Sequence, residues 1–203
     1  MTAHEPSIRP RGRSDFAEVG GLRLHSLSYG EAGRQALVVV PGITSPAITW
    51  EFVAEELASD YRVIVTDTRG RGLSQRGPTG TYTIPSYARD VAELVRVLGI
   101  ERPIVIGHSM GARAVAGLAV LHPSVARGVI LVDPPLTGPG RAPYSTPLED
   151  FVSTLRSARA GATADDMRPY FPTWTEEQLA LRADWLATCD EEAVVESYAN
   201  LHD

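Results

Sequence analysis

Residues 104–121 read Ile-Val-Ile-Gly-His-Ser-Met-Gly-Ala-Arg-Ala-Val-Ala-Gly-Leu-Ala-Val-Leu. Ile104 to Ile106 is apolar without alternation, which suits a strand buried on both faces of a parallel sheet. Ala112 to Leu121 is small and apolar enough for a tightly packed helix. Between them stands Gly107-His108-Ser109-Met110-Gly111, with the spacing Gly-x-Ser-x-Gly. A serine on a sharp strand-to-helix corner is forced into a strained backbone conformation, so the positions two before and two after it must be glycine or similarly small. The five-residue pattern alone decides little in a chain with 18 glycines, and a structural Gly-Ser-Gly turn would satisfy it too. The strand before it and the helix after it favour a nucleophile elbow.

Outward from this corner the same alternation repeats. Ala36-Leu37-Val38-Val39-Val40 is an apolar run that stops at Pro41-Gly42, and Ser45-Pro46 then opens a helix with Trp50, Ala54 and Leu57 on one face. Val63-Ile64-Val65 is a second buried strand, ending in Asp67 and the loop Arg69-Gly70-Arg71-Gly72. Tyr87, Val91, Leu94, Val95 and Leu98 follow at helical spacing, closed by Gly99 and Ile100. Val129 to Val132 is the fourth buried strand. Strands alternating with helices predict an α/β fold with a mostly parallel sheet and helices on both faces. Leu22 to Ser28 alternates apolar and polar residues and reads as the strand of an edge hairpin.

After Asp133 the rhythm changes. Pro134, Pro135, Pro139, Pro143 and Pro147 make a rigid connector, and only helical patterns follow. Thr146-Pro147-Leu148-Glu149 predicts a capping box opening a helix with Leu148, Phe151, Val152 and Leu155 on one face. Thr175 to Gln178 opens another with Leu179, Ala183 and Leu186, and Val194, Tyr198 and Leu201 mark a third. The expected organisation is a flexible tail over 1–18, a core over 19–136, and a connector with a helical lid over 137–203.

The chain has 203 residues, 43% hydrophobic and 22% charged, a globular balance. Its net charge of −6 argues against a nucleic-acid surface. The apolar runs fall far short of the roughly 20 residues of a membrane span. Met1 to Arg13 holds charged residues and prolines rather than the apolar core of a secretory signal. Cys189 is the only cysteine, so neither an intrachain disulfide nor a cysteine metal cluster can form, and a cytoplasmic setting is expected.

The elbow places Ser109 Oγ above the carboxyl edge of the sheet and points the Met110 N–H, at a helix N-terminus, toward an incoming oxyanion. A second donor is expected from Pro41-Gly42-Ile43-Thr44, where Gly42 permits close backbone approach and the Ile43 N–H is the candidate. That loop, Asp67-Thr68-Arg69-Gly70-Arg71-Gly72-Leu73-Ser74 and the Gly107–Gly111 elbow, in this order, resemble the α/β-hydrolase family. Pro41 stands where many members have histidine. Together with Ser45 to Trp50, Ala112-Arg113, Leu131 to Pro135, Gly138 to Arg141 and Trp174 to Cys189, it makes the chain most similar to the N-formylmaleamate deformylases of nicotinate breakdown.

The resemblance implies a serine hydrolase acting on a small-molecule acyl or amide substrate, with no metal, organic cofactor, nucleic acid or membrane partner. It implies deformylation of N-formylmaleamate to maleamate and formate. A carboxylesterase, another small-amide hydrolase and a non-catalytic ligand-binding relative are the alternatives. It makes Asp133 the triad acid, though an aspartate before Pro134-Pro135 also suits a turn. Asp67 more naturally fixes its own loop by bonding backbone N–H groups. Arg69, Arg113 and Arg141 are candidates to hold an anionic substrate, and Trp50 and Trp174 are candidate pocket walls.

The family order is serine, acid, histidine. His4 lies in the tail, His25 on the outer strand, and His122 at the far end of the helix after the elbow. His108 is expected to point away from Ser109, and His202 lacks a preceding strand. The general base is therefore expected to be missing, with two strand-helix units of about 30 residues each. On this reading the chain is a truncated, inactive form whose Val129–Val132 strand is left as an open sheet edge.

Overall fold

A computed structural model describes residues 5–201. Six strands form one sheet: β1 (Arg13–Val19), β2 (Leu22–Tyr29), β3 (Ala36–Val40), β4 (Arg62–Thr66), β5 (Ile104–His108) and β6 (Gly128–Val132). Their order is β1-β2-β4-β3-β5-β6. β3, β4, β5 and β6 are mutually parallel, and β2 runs antiparallel to both β1 and β4.

The unbroken apolar character of β3 has a simple cause. Val38 and Val40 face one core, packed with Val91 and Val95 of α2 (Ile84–Val97) and Val115 and Leu118 of α3 (Met110–Leu121). Leu37 and Val39 face another, with Ile48 of a 3₁₀ turn (Ala47–Trp50) and Ala54 of α1 (Glu51–Leu57). A strand covered on both faces has no polar side to show, which is why the period of two vanishes from the sequence.

Residues 137–201 form the connector and four helices: α4 (Leu148–Arg159), α5 (Ala164–Met167), α6 (Glu176–Leu186) and α7 (Glu191–Ala199). α7 is seated on the loop after β4. The Asp190 N–H donates to the Gly70 carbonyl at 2.8 Å, and buried Arg71 donates to the Ala193 carbonyl and Ser197 hydroxyl at 3.1 and 2.9 Å. Leu179 and Leu186 of α6 join the first core, whereas Leu181 and Trp185 join the second. The helical cap is thus bonded to the sheet's carboxyl end and shares its apolar interior.

The expected flexible segment over 1–18 is corrected by the structure where it is described. Gly20 and Gly21, both at positive φ, turn β1 back onto β2, with Val19 opposite Leu22. Only Ala17 and Val19 of β1 are buried, too thin a pattern to read as a strand. Further upstream, Ile8 accepts from the Trp185 indole at 2.9 Å and donates to Asp184 at 2.8 Å, fastening the segment to α6. The predicted Thr146–Glu149 capping box does not form: Pro147 is the N-cap without a side-chain bond, and the Thr146 carbonyl accepts the Tyr198 hydroxyl instead. The box at Thr175 and Gln178 is present, as is an unanticipated one at Thr163 and Asp166.

Val129 to Val132 keep 37–47% of their surface exposed, and β5 is the only partner of β6 among the described residues. No described helix is long and apolar enough to cross a membrane.

Candidate active site

Ser109 lies between β5 and α3 with φ 53° and ψ −122°, a conformation that L-residues avoid. The corner is held by backbone contact. The Ser109 N–H donates to the Val132 carbonyl at 2.9 Å, and the Ser109 carbonyl accepts the Ala112 N–H at 2.9 Å. A Cβ on Gly107 would lie 2.3 Å from the Gly111 carbonyl oxygen, and one on Gly111 would lie 2.1 Å from that of Val40. These approaches involve main-chain atoms that cannot swing aside, so both positions admit glycine alone.

The loop after β3 runs alongside the serine. A Cβ added to Gly42 would stand 3.4 Å from the Ser109 Cβ and 3.3 Å from the His108 Nδ1. The Ile43 carbonyl is held by the buried Arg71 Nε at 3.0 Å, which fixes the Ile43–Thr44 peptide of this loop. Neither the Ile43 N–H nor the Met110 N–H donates to an acceptor among the described residues. Two unspent donors beside one serine hydroxyl are the elements of an oxyanion site.

Asp133 follows β6 at positive φ, one residue past the carbonyl that holds the Ser109 N–H. It is exposed at the carboxyl edge of the sheet. Its carboxylate raises the pKa of the His108 ring, against the larger effect of burial, which lowers it. His108 is therefore neutral near pH 7. The expectation that His108 points away from the serine is corrected. His108 and Ser109 border the same cavity, and the His108 ring meets Trp50 edge-on with centroids 5.7 Å apart. Its buried Nδ1 has no hydrogen-bond partner.

That cavity measures about 400 Å³ and runs from Gly42 and Ser109 to Phe171, Trp174 and Arg182 of the helical cap. Trp174 stacks on Phe171 at 4.5 Å, so the expected wall residues Trp50 and Trp174 both border it. None of the three arginines singled out from the sequence does. Arg69 forms a buried bidentate pair with Asp90 at 2.7 and 2.6 Å, Arg113 donates to the Thr137 hydroxyl and the Leu201 carbonyl, and Arg141 is exposed on the connector. The cation at the cavity is Arg182, which sequence reasoning missed. A signal existed: Arg182 lies three residues after Leu179 and four before Leu186, in the buried stripe of α6.

Asp67, itself buried, accepts the Ala47 N–H at 2.5 Å and the Leu73 N–H at 3.0 Å, and pairs with buried His25 at 2.6 Å. It braces its loop, as expected from its position. His122 caps the far end of α3, and His4 and His202 lie outside the described residues. Among the described residues, no imidazole is hydrogen-bonded to Ser109 or Asp133. No described group of three His, Cys, Asp or Glu side chains is placed to hold a metal ion.

A family model for the alpha/beta hydrolase fold matches residues 35–197. The chain belongs to the α/β hydrolase fold family. This hydrolase is 47% identical over 184 residues to the N-formylmaleamate deformylase of Pseudomonas putida, a match covering 90% of the chain and 68% of that protein. It is 38% identical over 92 residues to the 2-(acetamidomethylene)succinate hydrolase of Mesorhizobium japonicum, covering 45% of the chain and 33% of that protein. Among solved structures, the N-formylmaleamic acid deformylase of Pseudomonas putida S16 superposes with a TM-score of 0.88 and 42% identity, over 94% of the hydrolase and 74% of that chain.

Proposed function

We propose that this hydrolase deformylates N-formylmaleamate through a formyl-enzyme formed on Ser109. The Oγ attacks the formyl carbon, and the negative charge that develops on the formyl oxygen falls to the Ile43 and Met110 N–H groups. Collapse breaks the C–N bond and releases maleamate, and water then attacks the formyl ester to free formate and restore the hydroxyl. Maleamate and formate together account for the substrate plus one water. Asp133 serves as the acid that orients the imidazole accepting the Ser109 proton. The cap helices close over the bound substrate and exclude water from the first step.

The observation that carries this reading is the strained φ of 53° at Ser109 beside two unspent N–H donors, in a chain 47% identical to a deformylase. We infer nicotinate breakdown as the setting of this reaction, a reading that the likeness to the Pseudomonas putida deformylase supports. A lone buried cysteine and a small acidic substrate fit a cytoplasmic enzyme.

The test uses the protein purified from its native coding region. A fluorophosphonate probe is expected to label Ser109, and N-formylmaleamate to yield equimolar formate and maleamate, with both lost in Ser109→Ala. A folded protein that neither labels nor releases formate would make the chain a ligand-binding relative. Ester hydrolysis without deformylation would make it an esterase.

A further inference from the structure

Three arginines of this chain are more than nine-tenths buried, and two of them are accounted for. Arg69 is neutralised by Asp90. Arg71 has no carboxylate, but its guanidinium donates to the carbonyls of Ile43, Arg69 and Ala193 and to the hydroxyls of Tyr87 and Ser197. Arg182 differs from both. It is 7% exposed, its two terminal nitrogens bond the Thr44 carbonyl and, at 2.9 Å, the Thr44 hydroxyl, and its buried Nε has no partner.

No carboxylate among the described residues lies within 4.0 Å of Arg182. One face of the guanidinium lies toward Phe171, 5.5 Å from the ring centroid, which holds the plane without supplying a counter-charge. Burial accordingly lowers its pKa, yet a guanidinium does not deprotonate in a protein. A full positive charge with an idle donor, enclosed in an apolar wall, is strongly disfavoured unless an anion completes it.

Arg182 borders two cavities. One is that of Ser109, and the other is a side chamber of about 150 Å³ lined also by Met167, Tyr170 and Phe171, with exposed Asp150 at its rim. Thr44, which Arg182 grips, and Gly42, which lies against Ser109, belong to one short loop, and Arg182 and Ser109 line the same cavity of about 400 Å³. A small acyl amide with a free carboxylate fits within that cavity.

We propose that Arg182, fixed by Thr44, is the anchor for the substrate's free carboxylate, taken up at the end of the molecule remote from the carbonyl that Ser109 attacks. The assignment rests on the deformylase reading for the identity of the substrate, though not for the requirement of an anion. The carboxylate supplies the counter-charge that no described side chain provides, and it meets an already rigid fork, so little ordering is left to do on binding. Because the same guanidinium holds the Thr44 carbonyl, occupancy of the anion site also steadies the loop that carries the Ile43 N–H.

The experiment measures kcat and KM for N-formylmaleamate and for its methyl ester with the wild type, Arg182→Lys and Arg182→Gln. Loss of one charge-assisted contact is expected to raise KM for the acid about 10- to 100-fold in Arg182→Gln and less in Arg182→Lys. The KM of the neutral ester should change less than threefold, any loss of kcat through the Thr44 contact should fall on acid and ester alike, and fluorophosphonate labelling of Ser109 should continue. In parallel, and independent of any variant's folding, maleamate should raise the melting temperature of the wild type while the neutral diamide maleamide should not. Unchanged discrimination between acid and ester in a folded Arg182→Gln, or equal stabilisation by maleamate and maleamide, overturns the anchor while leaving deformylation intact. Maleamate binding that depends on Arg182 in a protein that releases no formate keeps the anchor and rejects the deformylase.

Discussion

Gly42→Ala separates the oxyanion loop's role in catalysis from any role in stability. The backbone at Gly42 does not occupy the left-handed region, so alanine can adopt it, and the only change is one methyl group. That methyl would stand 3.3 Å from the His108 Nδ1 and 3.4 Å from the Ser109 Cβ, a few tenths of an ångström inside comfortable contact. The crowding costs up to about 1 kcal/mol, and the stiffer unfolded chain returns about 0.4–1 kcal/mol, so net stability should move by less than about 1 kcal/mol. Catalysis is less forgiving. Pushing the loop from the serine shifts the Ile43 N–H from its oxygen, and loss of one such donor costs about 10²- to 10³-fold in kcat. Urea denaturation and turnover of N-formylmaleamate should therefore report an almost unchanged midpoint with kcat reduced at least tenfold. Gly111→Ala supplies the contrast, since its methyl would meet the Val40 carbonyl oxygen at 2.1 Å and should prevent folding. A Gly42→Ala enzyme with kcat within twofold of wild type would refute the placement of the oxyanion site on this loop.

Asp67→Asn should lower stability by about 3 kcal/mol in urea, because an amide has one acceptor oxygen where the carboxylate uses two, for the Ala47 and Leu73 N–H groups and the His25 ring. Folded Asp67→Asn should still label with fluorophosphonate, whereas loss of labelling in the folded variant would make Asp67 catalytic. Burial lowers the His108 pKa in the folded state, so the unfolded chain binds the extra proton first as pH falls. The contribution of His108 to stability is thus present above the unfolded value of about 6.5 and is lost as pH drops below it toward the folded value. Replacing His108 by Asn should flatten the stability–pH curve in that window, and an unchanged curve would contradict the burial of the ring.

The elements that read correctly from sequence are those whose signal is local. β3, β4, β5 and β6 announce themselves as short apolar runs; for β3 the cause is burial on both faces, whereas β6 carries the same run although its residues are exposed among the described residues. The elbow was legible for a similar reason, as Gly107 and Gly111 meet main-chain atoms only a few residues away in sequence or on the adjacent strand. β1 failed as a reading because two buried residues, Ala17 and Val19, are too few to make a pattern, and its pairing is set by the Gly20-Gly21 turn. The capping box at Thr146 failed because the helix begins one residue later, with Pro147, which has neither a hydroxyl nor an N–H, at the N-cap.

Charges show the division most clearly. An arginine in a sequence states its charge and not its partner. Arg69, Arg113 and Arg141 looked as available as Arg182, and only the fold engages Arg69 with Asp90, ties Arg113 to Thr137, and sets Arg182 in the cavity wall with an idle nitrogen. The order of strands and helices and the strained serine corner were determined by residue pattern alone, because hydrophobic period and glycine sterics act over a few residues. The direction of His108, the bracing of the loop by Asp67 and the choice of cation were decided by tertiary structure, because each depends on segments far apart in sequence meeting at the carboxyl edge of one sheet.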